Sequence, residues 1–300
     1  MSNLIAIDWG TSSFRAYLID AAGKILQKSV AETGILSVEN RDFEHSLEVQ
    51  LRKFSDISPE TPIIAAGMIT SRQGWCETPY VCCPASAKDL AENLTPCGSA
   101  SFGTIWFVPG VNQFLPEPDI MRGEETQLAG IRATEDVVTI MPGTHSKWVE
   151  VKDQTIIRFR TFMTGELFAI VMKHSILGSV SGSIWSDESF KRGVRKGFSF
   201  AETNGGLLSA LFQVRVETIL GQESETDSSS HVSGILIGCE IAEAVGSGFN
   251  TIEKKLIIGE ARLSRIYRMA LSDCGINAAA GPEDVSAHGL YRIAKYKKLI

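Results

Sequence analysis

The hydrophobic positions of this chain fall in short runs that end at small or polar residues. Residues 4–7 are apolar and stop at Asp8, residues 9–13 are rich in turn formers, and residues 14–19 form a second, largely apolar run. Short apolar runs bounded by turn signals are typical of buried β-strands. The pattern therefore predicts a strand, a tight loop and a second strand, followed by a third strand at residues 25–30.

The same pattern returns near the middle of the chain. Residues 137–141 are largely apolar, a Gly-Thr-x-Ser turn follows at 143–146, and a second strand-like run continues to Val151. This turn aligns with Gly-Thr-x-Ser at 10–13 at a constant offset of 133 positions. A unit that recurs at a fixed offset indicates internal duplication. We therefore predict two copies of one glycine-hinged hairpin, one in each half of the chain.

Strand-like and helix-like segments alternate through the rest of the sequence. Buried strands are predicted at residues 62–68, 105–110, 233–238 and 255–259, and helices at residues 43–54, 124–133, 239–245, 262–271 and 285–300. In this reading Gly238 and Gly259 each end a strand that opens into a helix. Strands interleaved with helices predict an α/β fold.

A domain boundary is predicted where Pro116 and Pro118 interrupt the pattern, because prolines concentrate at joints between domains. We expect an N-terminal domain over residues 1–115 and a C-terminal domain over residues 116–300. The C-terminal helix either stays with the second domain or packs back on the first.

Composition narrows the class of protein. Of the 300 residues 44% are hydrophobic and 21% are charged, and the net charge is −6, so a packed core is expected and a nucleic-acid partner is not. The sequence contains no run of 18 apolar residues and its N-terminus lacks the features of a signal peptide, which favours a cytoplasmic protein without a membrane partner. The six cysteines form no CxxC pair and are expected to be reduced thiols.

The two predicted hairpins suggest a chemistry for the chain. A bend made of Gly, Thr and Ser exposes consecutive backbone N–H groups, which can cradle a phosphate. The carboxylate of Asp8, at the end of the first strand, suits Mg²⁺, which binds few protein ligands and keeps its waters. Neither a GxxxxGK[ST] loop nor a GxGxxG loop occurs, so P-loop and dinucleotide-binding readings lose their main support.

Longer strings of the sequence resemble a known family. Residues 8–12, 143–146 and 257–261 look like the phosphate-1, phosphate-2 and adenosine motifs of the actin/hexokinase/Hsp70 ATPase superfamily. The fuller strings at 67–75, 121–127, 142–148 and 161–168 resemble the 2-dehydro-3-deoxygalactonokinase family, and the resemblance runs from Ile5 to about Tyr291. One departure is that Glu260 follows Gly259 where the superfamily usually has a second glycine.

The resemblance implies a two-lobed, ribonuclease H-like α/β fold around a central cleft. It also implies phosphorylation of the C6 hydroxyl of 2-dehydro-3-deoxy-D-galactonate by ATP, with Mg²⁺, in galactonate catabolism. The residues expected to bind ATP are Gly10, Thr11, Ser12, Ser13, Gly143, Thr144, His145, Ser146, Lys147, Gly238 and Gly259.

Phosphoryl transfer also needs a group that orients the accepting hydroxyl. Glu124 and Glu125 compete for this role, and since adjacent helical residues diverge by about 100°, only one of them should face the site. We favour Glu124, which we place on the apolar side with Leu128, and rank Asp119 third. Alternatively, both glutamates simply favour a helix N-terminus, where acids are stabilised.

The carboxylate of a sugar acid needs a cationic partner, and an arginine can bind it through two parallel hydrogen bonds. Arg72, in a loop with Gln73, is the first candidate and Arg122 the second, while Thr164 and Gly165 are expected to line the sugar pocket. The expected partner is thus a small sugar acid, and a homodimer is compatible with the sequence. A kinase for another 2-keto-3-deoxy sugar acid and a non-catalytic actin-like nucleotide-binding protein stay open as alternatives.

Overall fold

The chain forms two compact units that are discontinuous in sequence. The computed structural model describes residues 3–55, 57–132, 135–178, 184–201, 206–221 and 227–300. Unit 1 comprises Met1–Glu135, Val151–Arg158 and Pro282–Ile300, and unit 2 comprises Asp136–Glu150 and Phe159–Gly281. The first stretch of unit 1 thus continues past residue 115, where the sequence predicted a boundary, and the C-terminal segment belongs to unit 1.

The secondary structure follows the predicted alternation of strands and helices. The strands are β1 (Leu4–Trp9), β2 (Phe14–Ile19), β3 (Ile25–Ala31), β4 (Ile63–Ala66), β5 (Tyr80–Cys82), β6 (Ala85–Ser86), β7 (Thr95–Ser99), β8 (Gly103–Phe107), β9 (Gly110–Gln113), β10 (Asp119–Met121), β11 (Val137–Met141), β12 (Ser146–Lys152), β13 (Thr155–Phe162), β14 (Lys255–Ile257) and β15 (Ala279–Ala280). The α-helices are α1 (Phe43–Leu51), α2 (Ala87–Glu92), α3 (Glu124–Gly130), α4 (Thr164–His174), α5 (Asp187–Phe198), α6 (Leu207–Ile219), α7 (Ser228–Ala244), α8 (Ala261–Asp273) and α9 (Val285–Tyr296). Short 3₁₀ helices lie at Ile35–Ser37, Glu39–Arg41, Met68–Thr70 and Ser199–Ala201, and a π-helical turn at Val245–Phe249 extends α7.

Unit 1 is built on a mixed sheet with the strand order β3-β2-β1-β4-β8-β7. The central strand β1 is antiparallel to β2 and parallel to β4, and every residue of β1 is buried. Helix α9 packs against β1 and β4, and also against α3. A smaller sheet with the order β10-β9-β5 leads into α3. The register pairs Asp8 with Ala66, so the carboxyl ends of the parallel strands β1 and β4 lie side by side.

Unit 2 repeats this arrangement with the strand order β15-β14-β11-β12-β13. Strand β11 is parallel to β14, which is parallel to β15, just as β1 is parallel to β4 and β4 to β8. The order β3-β2-β1-β4-β8 therefore corresponds strand by strand to β13-β12-β11-β14-β15. Both predicted hairpins form, and the internal repeat suggested by two Gly-Thr-x-Ser turns extends over the central strands of each unit.

The outer end of the β12–β13 hairpin, residues 151–158, belongs to unit 1. There Thr155 and Ile156 pair with Ser86 and Ala85 of β6. These four residues form a small antiparallel ladder beside the N-terminus of α2.

Most predicted elements are present, with one clear error. Residues 233–245 are not a strand followed by a helix, because α7 runs unbroken from Ser228 to Ala244. Its apolar residues face neighbours on several sides, so the periodicity that normally marks a helix is absent, and the run of Ile and Leu resembled a buried strand. The helix predicted at 124–133 ends at Gly130 in the structure, and Ala133 lies outside the described residues.

Glycines set the packing of α7 inside unit 2. Gly234 and Gly238 face Gly193 and Gly197 of α5, and a Cβ atom on Gly238 would lie 2.2 Å from the carbonyl oxygen of Val194. The two helix backbones are therefore in direct contact. By length and hydropathy Ser228–Phe249 could also cross a membrane, but most of this apolar window is buried within the protein.

The α5–α7 contact predicts a position-specific loss of stability. Gly238→Ala should lower the free energy of unfolding by about 1–3 kcal/mol, because overpacking outweighs the roughly 1 kcal/mol gain in helix propensity. Urea denaturation followed by circular dichroism measures this change. Gly246→Ala is the matched control, since nothing lies within 4 Å of a Cβ atom at Gly246. Equal stability of the two variants would contradict the proposed packing.

Candidate functional site

The loop between β1 and β2 presents backbone N–H groups on one side. The Gly10 N–H donates to the Ser13 carbonyl at 2.8 Å, while the carbonyls of Gly10 and Thr11 accept from the N–H groups of Ile35 at 3.0 Å and Leu36 at 3.4 Å. In a trans peptide the C=O and the next N–H point in opposite directions. The N–H groups that follow these two carbonyls therefore point away from residues 35–36, at the exposed bend of the loop.

The loop between β11 and β12 is braced in the same way. The Thr144 carbonyl accepts from the Glu166 N–H at 2.9 Å, at the first turn of α4. The His145 N–H therefore points away from α4, and Thr144 and His145 are exposed. The first Gly-Thr loop thus has two carbonyls tied back and two N–H groups directed outward, and the second has one of each; outward backbone N–H groups are suited to binding anions.

A glycine braces each loop from behind. A Cβ atom at Gly34 would lie 2.0 Å from the Thr11 carbonyl oxygen, and one at Gly165 would lie 2.3 Å from the Gly143 carbonyl oxygen. Gly34 and Gly165 each follow the last residue of the third strand of their sheet, β3 or β13, by three positions. Sequence reasoning missed Gly34 and read Gly165 as a sugar-pocket residue. Aligning the two halves beyond the hairpins would have found both.

Asp8 lies buried at the end of β1 in unit 1. Its Oδ2 accepts a hydrogen bond from the Ser286 hydroxyl at 2.7 Å and faces Arg15 Nη1 at 3.5 Å. Burial raises the pKa of the Asp8 carboxyl, and the nearby negative charge of Glu124 adds to the increase. Ser286 was not predicted, because it comes from α9, at the far end of the sequence, and carries no local motif.

The two competing glutamates point to different surroundings. The Glu125 carboxyl accepts from the Gly123 N–H at 2.7 Å and is 1% exposed, whereas Glu124 accepts from the Arg122 N–H at 3.1 Å and is partly exposed. Burial, reinforced by the charge of Glu124, raises the pKa of Glu125 to about 8. The expectation that Glu124 shares the apolar side with Leu128 is wrong, since Glu125 occupies it. Glu124 nevertheless is the glutamate whose charge reaches Asp8.

Arg122 holds two segments of unit 1 together. Its Nη1 donates to Thr70 O at 2.7 Å and to the hydroxyls of Thr70 and Thr78 at 2.6 Å, its Nη2 donates to Thr78 O at 3.1 Å, and its guanidinium lies 4.4 Å from the Tyr80 ring centroid. Both Nη atoms are engaged within the protein, whereas the buried Nε has no hydrogen-bond partner among the described residues. The contacts make Arg122 a structural clamp between residues 70–80 and the start of α3, and the predicted role as a substrate ligand stays a prediction.

Arg72 and Gln73 are exposed on the loop that this clamp secures. The loop is held further by Arg41, whose Nη2 donates to the Gly74 carbonyl at 2.7 Å. Within the described parts of the chain, the Arg72 guanidinium has no ion pair. An arginine on a fixed loop is suited to binding an anionic ligand from solvent.

Several predicted ligands of the second loop turn inward. The Ser146 hydroxyl is buried and lies 2.7 Å from the Tyr267 hydroxyl, and the Lys147 side chain is 5% exposed. The Thr164 hydroxyl donates to Glu240, and the exposed His145 ring meets the Glu166 carboxylate. The Ser146 and Thr164 hydroxyls are therefore engaged within unit 2, whereas the backbone of the exposed loop residues remains available to a ligand.

The remaining predicted positions lie in different surroundings. Gly238 is buried against α5 and is not part of any nucleotide loop. Gly259 is exposed, and a Cβ atom there would lie 3.3 Å from the Pro142 carbonyl oxygen, so the predicted adenosine motif adjoins the second loop. Glu260 caps α8 by accepting from the Arg262 and Leu263 N–H groups. Asp119 lies in β10 and accepts from the Ile120 N–H.

No group of three or more His, Cys, Asp or Glu side chains that could hold a metal occurs among the described residues. A cation held by one carboxylate and a ligand's phosphates, which is the usual mode for Mg²⁺, does not need such a group.

The fold and most of the sequence match known proteins. A family described as 2-keto-3-deoxy-galactonokinase matches residues 8–293. The Rhizobium meliloti protein named "Probable 2-dehydro-3-deoxygalactonokinase DgoK1" is 36% identical over 287 residues, covering 93% of this chain and 92% of its own length. The 2-dehydro-3-deoxygalactonokinase of Escherichia coli is 33% identical over 282 residues, with 92% of each chain covered.

Solved structures agree with this assignment. A Sinorhizobium meliloti protein provisionally named a 2-dehydro-3-deoxygalactonokinase superimposes with a TM-score of 0.88 at 34% identity, covering 97% of this chain and 98% of that one. The ADPNP-bound activator of 2-hydroxyisocaproyl-CoA dehydratase from Clostridium difficile, at a TM-score of 0.52 and 13% identity over 99% of this chain and 96% of that one, shares the fold alone. The α/β actin-like ATPase fold expected from the sequence is confirmed, and the chain belongs to the 2-keto-3-deoxy-galactonokinase family.

Proposed function

We propose that this protein transfers the γ-phosphoryl group of ATP to the C6 hydroxyl of 2-dehydro-3-deoxy-D-galactonate, giving 2-dehydro-3-deoxy-6-phospho-D-galactonate. Membership of the family makes the chain a phosphotransferase of sugar-acid catabolism. The observation that carries the proposal is the duplicated Gly-Thr loop, which in each unit has a carbonyl bound from behind and the following N–H directed outward. Each loop suits a phosphate group, because backbone N–H groups stabilise phosphate oxygens without side-chain charge.

The nucleotide is assigned to backbone contacts. In unit 1, the Thr11 and Ser12 N–H groups would donate to phosphate oxygens, from a loop fixed by Ile35 and Leu36. In unit 2, the His145 N–H would do the same, from a loop fixed by Glu166. Gly259, exposed beside Pro142 in unit 2, would leave room for the nucleoside.

Asp8 would hold the Mg²⁺ that accompanies ATP. The fit rests on the buried Asp8 carboxyl. The Ser286 hydrogen bond and the Arg15 charge offset only part of the hydration that its ionised form loses on burial, so its pKa is raised. A divalent cation would supply that compensation, and Ser286 fixes the carboxyl through Oδ2. When bound, Mg²⁺ supplies neutralisation of the phosphate charge.

Glu124 would orient the C6 hydroxyl and accept its proton. It is partly exposed at the N-terminus of α3, and its charge is felt by Asp8. Glu125 is less suited to this role, because a buried carboxyl with a pKa of about 8 is mostly protonated at neutral pH. Arg72, exposed on its clamped loop, would pair with the carboxylate of the sugar acid.

The substrate assignment is tested by turnover of purified protein with Mg-ATP. The protein should phosphorylate 2-dehydro-3-deoxy-D-galactonate at C6, as followed by ADP release and ³¹P NMR, and should leave a neutral hexose unchanged. Arg72→Gln should raise the KM for the sugar acid about tenfold or more and leave that for ATP unchanged, because it removes a charge-assisted pair worth about 1.5–3 kcal/mol. The assignment fails if a neutral sugar or the gluconate-derived epimer is preferred. Sedimentation with ATP but no turnover would favour a non-catalytic filament.

The role of Glu124 predicts a large effect on turnover. Glu124→Gln should lower kcat by about 10²–10⁴-fold with little change in KM, because the amide cannot accept the proton. Glu125→Gln is the matched control, since an amide resembles the protonated carboxyl in shape and can accept the Gly123 N–H. A Glu124→Gln enzyme with near-normal kcat would transfer the role to Glu125 or Asp119, and Asp119→Asn then identifies which.

The proposed cation ligand predicts a shift in metal dependence. Asp8→Asn should raise the Mg²⁺ concentration needed for half-maximal rate and lower kcat, because the amide has no charge to offer. Ser286→Ala, which removes one hydrogen bond but keeps the carboxyl, should produce a smaller shift in the same direction. A Mg²⁺ titration identical to wild type in the Asp8→Asn enzyme would remove Asp8 from the metal site.

A further inference from the structure

We infer that Glu240 is a positioning residue that sets the shape of the second phosphate loop and of the first turn of α4. The inference rests on the proposed function, since it assigns this carboxyl a part in binding the nucleotide. Glu240 is not in any motif that the sequence singled out. It lies on α7, two positions after the glycine that packs against α5.

The Glu240 carboxyl is the acceptor at the centre of a buried network. It is 2% exposed and receives hydrogen bonds from Trp148 Nε1 at 2.9 Å, from the Tyr267 hydroxyl at 2.7 Å and from the Thr164 hydroxyl. The Tyr267 oxygen in turn lies 2.7 Å from the Ser146 hydroxyl. Because the Tyr267 proton is directed to Glu240, Ser146 must donate to Tyr267, which fixes the direction of the chain of hydrogen bonds.

The donors belong to three elements that frame the second loop. Ser146 and Trp148 begin β12, directly after the loop, and Thr164 begins α4, directly before the glycine that braces it. Tyr267 comes from α8, which starts just after Gly259. The Glu240 carboxyl thus connects the start of β12, the start of α4 and helix α8, which are the three elements around the second loop.

Burying the Glu240 carboxyl costs free energy that an apolar side chain in the same place would not cost. Burial raises the pKa of Glu240, with its hydrogen bonds opposing this increase only in part. An apolar side chain of similar size in such a position is often neutral or stabilising. What an apolar residue cannot do is fix the orientation of three separate donors, so the carboxyl serves the geometry of the loop rather than the stability of unit 2.

The test compares Glu240→Gln with wild type, using Glu243→Gln as the control for loss of a charge from the exposed side of the same helix. In the Gln amide an NH2 group replaces the oxygen that accepts from Tyr267 and Thr164, so both hydroxyls must turn to accept, which reverses the hydrogen bond between Tyr267 and Ser146 and alters the network while preserving the volume. We expect faster hydrogen exchange at the Glu166 N–H, which the Thr144 carbonyl protects in the wild-type protein. We also expect a KM for ATP raised about tenfold or more, with the KM for the sugar acid unchanged.

The outcomes separate this inference from the proposed function. Unchanged exchange at Glu166 overturns the inference whatever the substrate proves to be, and so does faster exchange with unchanged ATP affinity. If the wild-type protein does not phosphorylate the sugar acid, the proposed substrate fails, and calorimetric titration with ATP alone still compares the two proteins. Tyr267→Phe provides a second variant: it removes one of the three donors to Glu240 together with the link to Ser146, leaves Trp148 and Thr164 bonded, and should produce a smaller change in the same direction.

Discussion

Direct contact between the backbones of α3 and α9 determines where the candidate acids of unit 1 lie. A Cβ atom at Gly289 would lie 1.7 Å from the Thr126 carbonyl oxygen, and one at Gly130 would lie 2.0 Å from the Val285 carbonyl oxygen. The same turn of α9 carries Ser286, which donates to Asp8. The end of β1 and the start of α3 are therefore held in a fixed relation by a helix that is far from both in sequence.

Backbone packing shapes both Gly-Thr loops, each within its own unit. The Gly10 and Thr11 carbonyls of the first loop and the Thr144 carbonyl of the second are bound from behind, and both loops have a glycine where a side chain would push the loop away. In the second loop Ser146 turns inward, while Thr144 and His145 are exposed. This geometry depends on the spacing of strands and glycines more than on the identity of the loop residues, so a three-residue match between the halves accompanies an extensive match in topology.

The sequence predicted what short-range patterns encode. The hairpins, the helices at residues 43–54 and 262–271 and the α/β class follow from apolar runs and turn residues, and Asp8 follows from its place at a strand end. Long-range partners could not be predicted in this way, since Ser286, Gly34 and Glu240 owe their significance to contacts with distant elements. Gly238 was misread for a related reason: a glycine looks the same in sequence whether it faces a ligand or a neighbouring element. The clamp that Arg122 forms could not be predicted for the same reason.

The discontinuity of unit 1 has a consequence for the order in which the protein is made. In the order of synthesis the β1–β2 hairpin precedes all of unit 2 and α9 follows it. Domains tend to fold as they emerge from the ribosome. Unit 2 can thus be completed while unit 1 still lacks the helix that covers β1 and α3, so the half of the protein synthesised first is the half that matures last.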